Sequence, residues 1–180
     1  MARVIQCSTD ELGPAEVAKL RVLLDAAWAD MEVAFTDDDW EHATGGAHFV
    51  VREAGEIVSH AAVVERFLRT GGRELRTGYV EAVVTRPDRQ RRGLGTAVMG
   101  QVGSYIRKTF DLGALDTGEF GFYERLGWVR WRGPTAVRTS DGEVATPEED
   151  GLVMVLLTPA VPELDVAAPI SCEWRPGDVW

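Results

Sequence analysis

"VEAVVTRPDRQRRGLGTAVM", residues Val80 to Met99, opens as a β-branched apolar run, crosses a short basic turn and resumes after Gly93 and Gly95 with helical spacing. Strand, turn and helix in that order set the glycines beside helix-initial N–H groups, which lack intrahelical acceptors and carry the positive end of the dipole. Glycine also removes the side chain that would hold an anion off the backbone. The spacing Gln90-x-x-Gly93-x-Gly95 therefore reads as a phosphate cradle. Arg86, Arg89, Arg91 and Arg92 add positive charge around it. A P-loop would need a terminal Gly-Lys-Ser/Thr, which is absent. A dinucleotide fingerprint would need a third glycine, and Gly100 is misplaced for that role. A plain tight turn before a helix would use the same glycines and bind nothing.

Working outward, "LRTGYVEAVVT" completes the strand before the turn, and Leu94, Val98, Val102, Tyr105 and Ile106 keep one helical face to about Phe110. Gly100 and Gly103 weaken that helix and are read as marks of close packing. Upstream lie a short strand near Val4–Cys7, a helix opened by Pro14, and a second short helix in "DDDWEHA", whose aspartates suit its N-terminus. "AHFVVRE" and "EIVSHAAVVERFLR" form a hairpin across Ala54-Gly55. Downstream, "LGALD" is a buried strand and "EFGFYERLGW" a short helix followed by a strand through Trp128. "GLVMVLLT" is a late strand, and "PISCEWRPGDVW" a terminal strand and tail. Trp131 to Pro147 reads as one long loop. The order β-α-α-β-β-β-α-β-α-β-β predicts a single mixed α+β domain over residues 1–180.

The net charge of −10 argues against nucleic acid as a partner, since phosphate backbones need a basic face. No apolar run approaches the ~18–20 residues that span a bilayer, so no membrane partner is expected. The N-terminal stretch lacks a secretory pattern, and Cys7 and Cys172 read as free thiols, which together predict a cytoplasmic protein. His42, His48 and His60 show no metal-ligand spacing and are read as structural, with no metal expected. Acidic clusters at Thr36–Glu41 and Thr146–Asp150, with Asp178 near the end, suit a cationic ligand as readily as a solvated surface.

The Gln90, Gly93, Gly95 pattern resembles the acyl-coenzyme A motif of the GCN5-related N-acetyltransferases (GNAT). That resemblance implies a mixed, mostly antiparallel sheet with splayed central strands flanked by helices. It implies acetyl-CoA as co-substrate, bound at Gln90 and with its pyrophosphate held by amides of Arg91, Arg92, Gly93, Leu94, Gly95 and Thr96, and its pantetheine arm paired with Val83, Val84 and Thr85. "DDWEHATGGAHFVV", "FYERLGW", "TPEEDG" and "CEWRPGDVW" narrow the resemblance to the aminoglycoside 2′-N-acetyltransferases, an antibiotic-resistance family.

Direct attack by an amine needs no protein nucleophile. The family resemblance supports Glu81 as base acting through water, Tyr123 as general acid and the Val83 N–H as donor to the developing oxyanion. It places contacts to an aminoglycoside substrate at Glu81, Ala82, Asp116, Glu149, Asp178 and Trp180. Two departures bear on drug preference. Ala34 stands where relatives tend to carry an acid, with Glu32 or Asp37 as substitutes, and the segment after Leu115 is two residues shorter. An acetyltransferase for a polyamine or a cell-wall amino sugar, and a non-catalytic acyl-CoA sensor, are the rival functions. The apolar late strands would suit a homodimer.

Overall fold

The computed structural model describes residues 2–29 and 34–180, which fall into two compact units, Met1–Val64 with Val80–Val102 and Glu65–Tyr79 with Gly103–Trp180. In the first unit, β1 (Val4–Ser8) pairs antiparallel with β2 (Ala47–Glu53), Val4 opposite Val51. β2 pairs in turn with the start of β3 (Glu56–Thr70). Ala54 and Gly55, at φ 50° and 81°, make the tight β2–β3 turn, whose two left-handed residues match the twist of the flanking strands. Pro14 opens α1 (Pro14–Trp28), which buries Leu20, Leu23 and Leu24 against Leu12, Val50 and Val84. The early aspartates of α2 (Asp37–Ala43) work as expected. Thr36 accepts from the Asp39 N–H at 3.2 Å while Asp39 accepts from the Thr36 N–H at 2.7 Å, a reciprocal cap.

The second unit holds a sheet ordered β6-β9-β5-β4-β3-β10-β7-β8. It contains the end of β3 and the start of β4 (Arg73–Thr85), β5 (Leu112–Asp116), β6 (Val129–Arg130), β7 (Thr135–Thr139), β8 (Gly142–Ala145), β9 (Val153–Leu157) and β10 (Ile170–Glu173). Most neighbours are antiparallel, while β4–β5 and β10–β7 are parallel. The β4–β5 ladder covers only Thr77–Tyr79 against Leu112–Ala114, a short pairing of two central strands, as expected of strands that splay. α3 (Leu94–Thr109) begins in the first unit and ends in the second, and α4 (Phe120–Glu124) is short. Gly103 is a close-packing position, with Leu156 3.4 Å from where a Cβ would stand, but Gly100 faces open space.

One expectation fails. The stretch from Trp131 to Pro147 is no loop: it folds into the β7–β8 hairpin, Ala136 opposite Ala145, and β7 joins the sheet through β10. All four residues of β8 are exposed, so no alternation of buried and exposed side chains marked it as a strand. Among the described residues, no helix is long and apolar enough to cross a membrane.

Candidate active site

The basic turn lies in the first unit, and its four arginines divide into two pairs. Arg86 donates through Nε to Asp88 at 2.6 Å, and Arg89 reaches both Glu53 at 2.7 Å and Asp88 at 2.6 Å. These two charges are spent within the protein. Arg91 and Arg92 are exposed and have no ion-pair partner among the described residues. Gln90 donates to the Thr85 carbonyl at 3.3 Å, tying the turn back to the strand. Arg91 and Gly93 take φ of 61° and 78°, which curls the segment into the helix. The first intrahelical bond of α3 is from Ala97 N–H to Gly93 at 2.9 Å, so the amides of Leu94, Gly95 and Thr96 precede the ladder. Nothing stands within 4 Å of the point where a Gly93 Cβ would be. Amides ahead of the helical ladder, open space at Gly93 and two unspent guanidinium groups fit a diphosphate.

Just upstream, Ala82 has φ 50°, which kinks β4 between Glu81 and Val83. A non-glycine residue in this region is strained by ~1 kcal/mol and bends the strand. Glu81, Ala82 and Val83 are all half-buried, a break in the alternation of β4. The Thr85 hydroxyl lies 2.8 Å from that of Ser59, and Arg86 N–H donates to the Val58 carbonyl at 2.9 Å, fixing the strand's end to β3.

The second unit gathers the acidic candidates. Burial, with the charge of Asp178 added, raises the Asp116 pKa to about 6. Burial also raises Glu149 to about 7, helped by Asp116, Asp178 and Glu148. Asp116 Oδ1 is buried without a hydrogen-bond partner among the described residues. Carboxylates that repel one another, one oxygen unmatched, form a site that a multivalent cation would relieve. The tail docks beside it. Trp180 is 2% exposed, and its indole N–H donates to Thr146 Oγ1 at 3.0 Å, at the residue preceding the 3-10 turn Pro147–Glu149. Arg175 donates to Trp180 O at 2.7 Å, and Trp180 N–H to Asp178 Oδ1 at 3.1 Å. Trp180 thus stands in the structure as the anchor of the tail that carries Asp178.

Tyr123 sits on α4, buried and packed edge-on to Phe122 and Trp128, with centroids 5.0 and 6.1 Å away. Its hydroxyl has no hydrogen bond among the described residues. Burial, and then the charge of Glu119, pushes its pKa upward, so it stays protonated at neutral pH. Of the substitutes for Ala34, Asp37 is paired with Arg21 at 2.8 Å, and Glu32 lies outside the described residues.

Sequence reading missed the tail's supports. Arg66, 3% exposed, donates to the carbonyls of Glu173 and Val179 at 2.9 and 2.8 Å and lies 4.7 Å from the Tyr79 ring centroid. Its position in an apolar strand, "VVERFLR", was the available signal, since an arginine on a buried face needs partners.

Comparison with known proteins shows the family and the fold. The model of the acetyltransferase (GNAT) domain matches residues 9–130. The chain is 43% identical to a curated aminoglycoside 2′-N-acetyltransferase of Mycolicibacterium fortuitum, over 99% of this chain and 91% of that one. Among solved structures, a GNAT protein from Kribbella flavida aligns with TM-score 0.57 at 22% identity, covering 74% of this chain and 34% of that one, so this chain spans about a third of that protein. A GNAT family acetyltransferase from Brucella melitensis, solved in complex with acetyl-CoA, aligns with TM-score 0.55 at 19% identity over 85% of this chain and 96% of that one. The fold is the one these structures share, and this chain belongs to the GNAT acetyltransferases, in the group represented by the Mycolicibacterium fortuitum enzyme.

Proposed function

We propose that this enzyme transfers the acetyl group of acetyl-CoA to the 2′-amino group of aminoglycosides by direct attack in a ternary complex, in the cytoplasm. Acetyl transfer is the chemistry of its family. The observation that carries the choice of acceptor is the group Asp116, Glu149 and Asp178, with its unmatched carboxylate oxygen. Such a site favours several ammonium groups on one molecule, and Trp180 fixes the tail that completes it.

The residues divide the work by chemistry. Arg91, Arg92 and the amides from Gly93 to Thr96 hold the diphosphate, and Gln90 fixes the turn's approach. Val83, Val84 and Thr85 offer strand backbone to the pantetheine amides. Glu81, through water, takes a proton from the substrate ammonium, leaving a lone pair to attack the thioester carbon. Val83 N–H donates to the oxygen on which negative charge develops. The new C–N bond forms as the C–S bond breaks, and the protonated Tyr123 donates to the leaving sulfur. Glu81 and Ala82, with the acidic group, contact the drug.

Thiol release from acetyl-CoA, measured across aminoglycosides with and without a 2′-amine, tests the proposal. Turnover should require that amine. Equal turnover on drugs lacking it, or on linear polyamines alone, would move the function to another amine. No turnover with any amine, despite acetyl-CoA binding, would mark a sensor.

A further inference from the structure

The mechanism leaves unused two fully buried histidines, both 0% exposed, on neighbouring strands of the first unit. Their contacts form a chain. Gly45 N–H donates to Thr9 Oγ1 at 3.1 Å, and Thr9 Oγ1 lies 2.9 Å from His48 Nε2. His48 Nδ1 lies 2.9 Å from His60 Nε2, and His60 Nδ1 lies 2.8 Å from the carbonyl oxygen of Ala82. With both rings neutral, only one arrangement of protons satisfies every member. A carbonyl can only accept, so His60 carries its proton on Nδ1 and accepts at Nε2. His48 must then donate from Nδ1 and accept at Nε2, which makes the Thr9 hydroxyl a donor there. The chain runs one way, from a main-chain N–H beyond α2 to the carbonyl of the kink in β4.

We propose that the Thr9–His48–His60 chain is a positioning device that holds the Ala82 kink of β4, and through it the settings of Glu81 and the Val83 N–H on either side. This rests on the proposed roles of Glu81 and Val83. A strained non-glycine residue persists where its surroundings hold it, and here the holder is a donor aimed at the strained residue's own carbonyl. In this arrangement a proton added to His60 Nε2 would face the His48 Nδ1–H, a donor toward a donor, whereas one added to His48 Nε2 would need the Thr9 hydroxyl to turn from donor to acceptor, so the one-way chain belongs to the neutral rings. Burial lowers the His48 pKa to about 4. Burial, then His48, lowers that of His60 to about 3 against the pull of the Ala82 carbonyl. The titratable group facing each ring is the other histidine, Trp40 packs on His48 from α2, and no carboxylate among the described residues acts on either.

The test joins nitrogen NMR of labelled histidines to kinetics. Both rings should show the Nδ1–H tautomer and stay neutral from pH 7 down to about pH 5. His60→Leu removes the donor to Ala82, whereas His60→Asn can keep one. His60→Leu should shift the Val83 amide resonance and lower kcat about tenfold or more, with both KM values nearly unchanged, and His60→Asn should recover much of the loss. Where His60→Leu does not fold, Thr9→Val against Thr9→Ser makes the same comparison at the far end of the chain. An Nε2–H tautomer, a stationary Val83 amide, or no rescue by the conservative variant would overturn the device. Glu81→Gln separates the two readings. An inactive Glu81→Gln beside a fully active His60→Leu sinks the device and leaves the site, and the opposite pattern removes Glu81 from the site while the device stands.

Discussion

At Glu149, the proposed contribution to binding and the contribution to stability have opposite signs. Its carboxyl is raised to about 7 by burial and by three neighbouring acids, so ionising it in the empty protein is unfavourable. Glu149→Gln should stabilise the free enzyme at pH 8 by ~0.5–1 kcal/mol, once partial exposure is allowed for. The same change should weaken aminoglycoside binding, with acetyl-CoA affinity unaffected. Thermal melts with and without drug check both halves, and a variant that melts lower in the free state would contradict the assignment. Tyr123 differs because its ring is packed while its hydroxyl is left unpaired. Tyr123→Phe preserves that packing, so kcat should fall ~10²-fold with acetyl-CoA affinity nearly intact. An unchanged rate would remove the acid role.

The basic turn works as an element with divided labour. Arg86 and Arg89 neutralise Asp88 and Glu53 and so hold the turn's shape, while Arg91 and Arg92 have no ion-pair partner among the described residues and are proposed to meet the coenzyme's diphosphate. Replacing Arg91 and Arg92 together by Ala should raise the acetyl-CoA Kd ~10-fold or more, and salt should weaken wild-type binding more than that of the variant. Replacing Arg86 by Ala should change the Kd far less. Titration of coenzyme into each variant at two salt concentrations checks this, and equal losses would mean that charge near the turn matters only in bulk. The tail is a second such element: Arg66 and Arg175 grip its carbonyls, and Trp180 bonds to Thr146, so Asp178 is carried by an anchored segment.

Across the whole chain, the buried histidines and the buried carboxylates make opposite contributions to stability in acid. His48 and His60 have folded pKa values near 4 and 3, below the unfolded value of ~6.5, so the unfolded state takes up protons first and stability falls as pH drops below ~6.5. Asp116 and Glu149 are raised to about 6 and about 7, so the folded state holds the extra protons and stability is gained as pH falls through that window. Hydrogen exchange, corrected for intrinsic rates, should show β2 and β3 around His48 and His60 losing protection from pH 7 to pH 5 while β5 and the tail do not. Uniform loss would mean that one of the two groups is misread. These opposed responses were invisible in the sequence, which shows three scattered histidines and scattered acids. Local rules settled much else: Pro14 and Thr36 start helices, Ala54-Gly55 turns a hairpin, and Gly93 turns the chain into α3, because each depends on residues a few positions apart. The wholly exposed β8 escaped because its partner, not its pattern, makes it a strand. By itself the sequence determined the fold family and the local caps and turns, the one at Gly93 among them. Only tertiary structure decided which arginines stay unspent, which carboxylates repel one another and which histidines share a hydrogen-bond chain, because burial and long-range neighbours set the free energy of a charge.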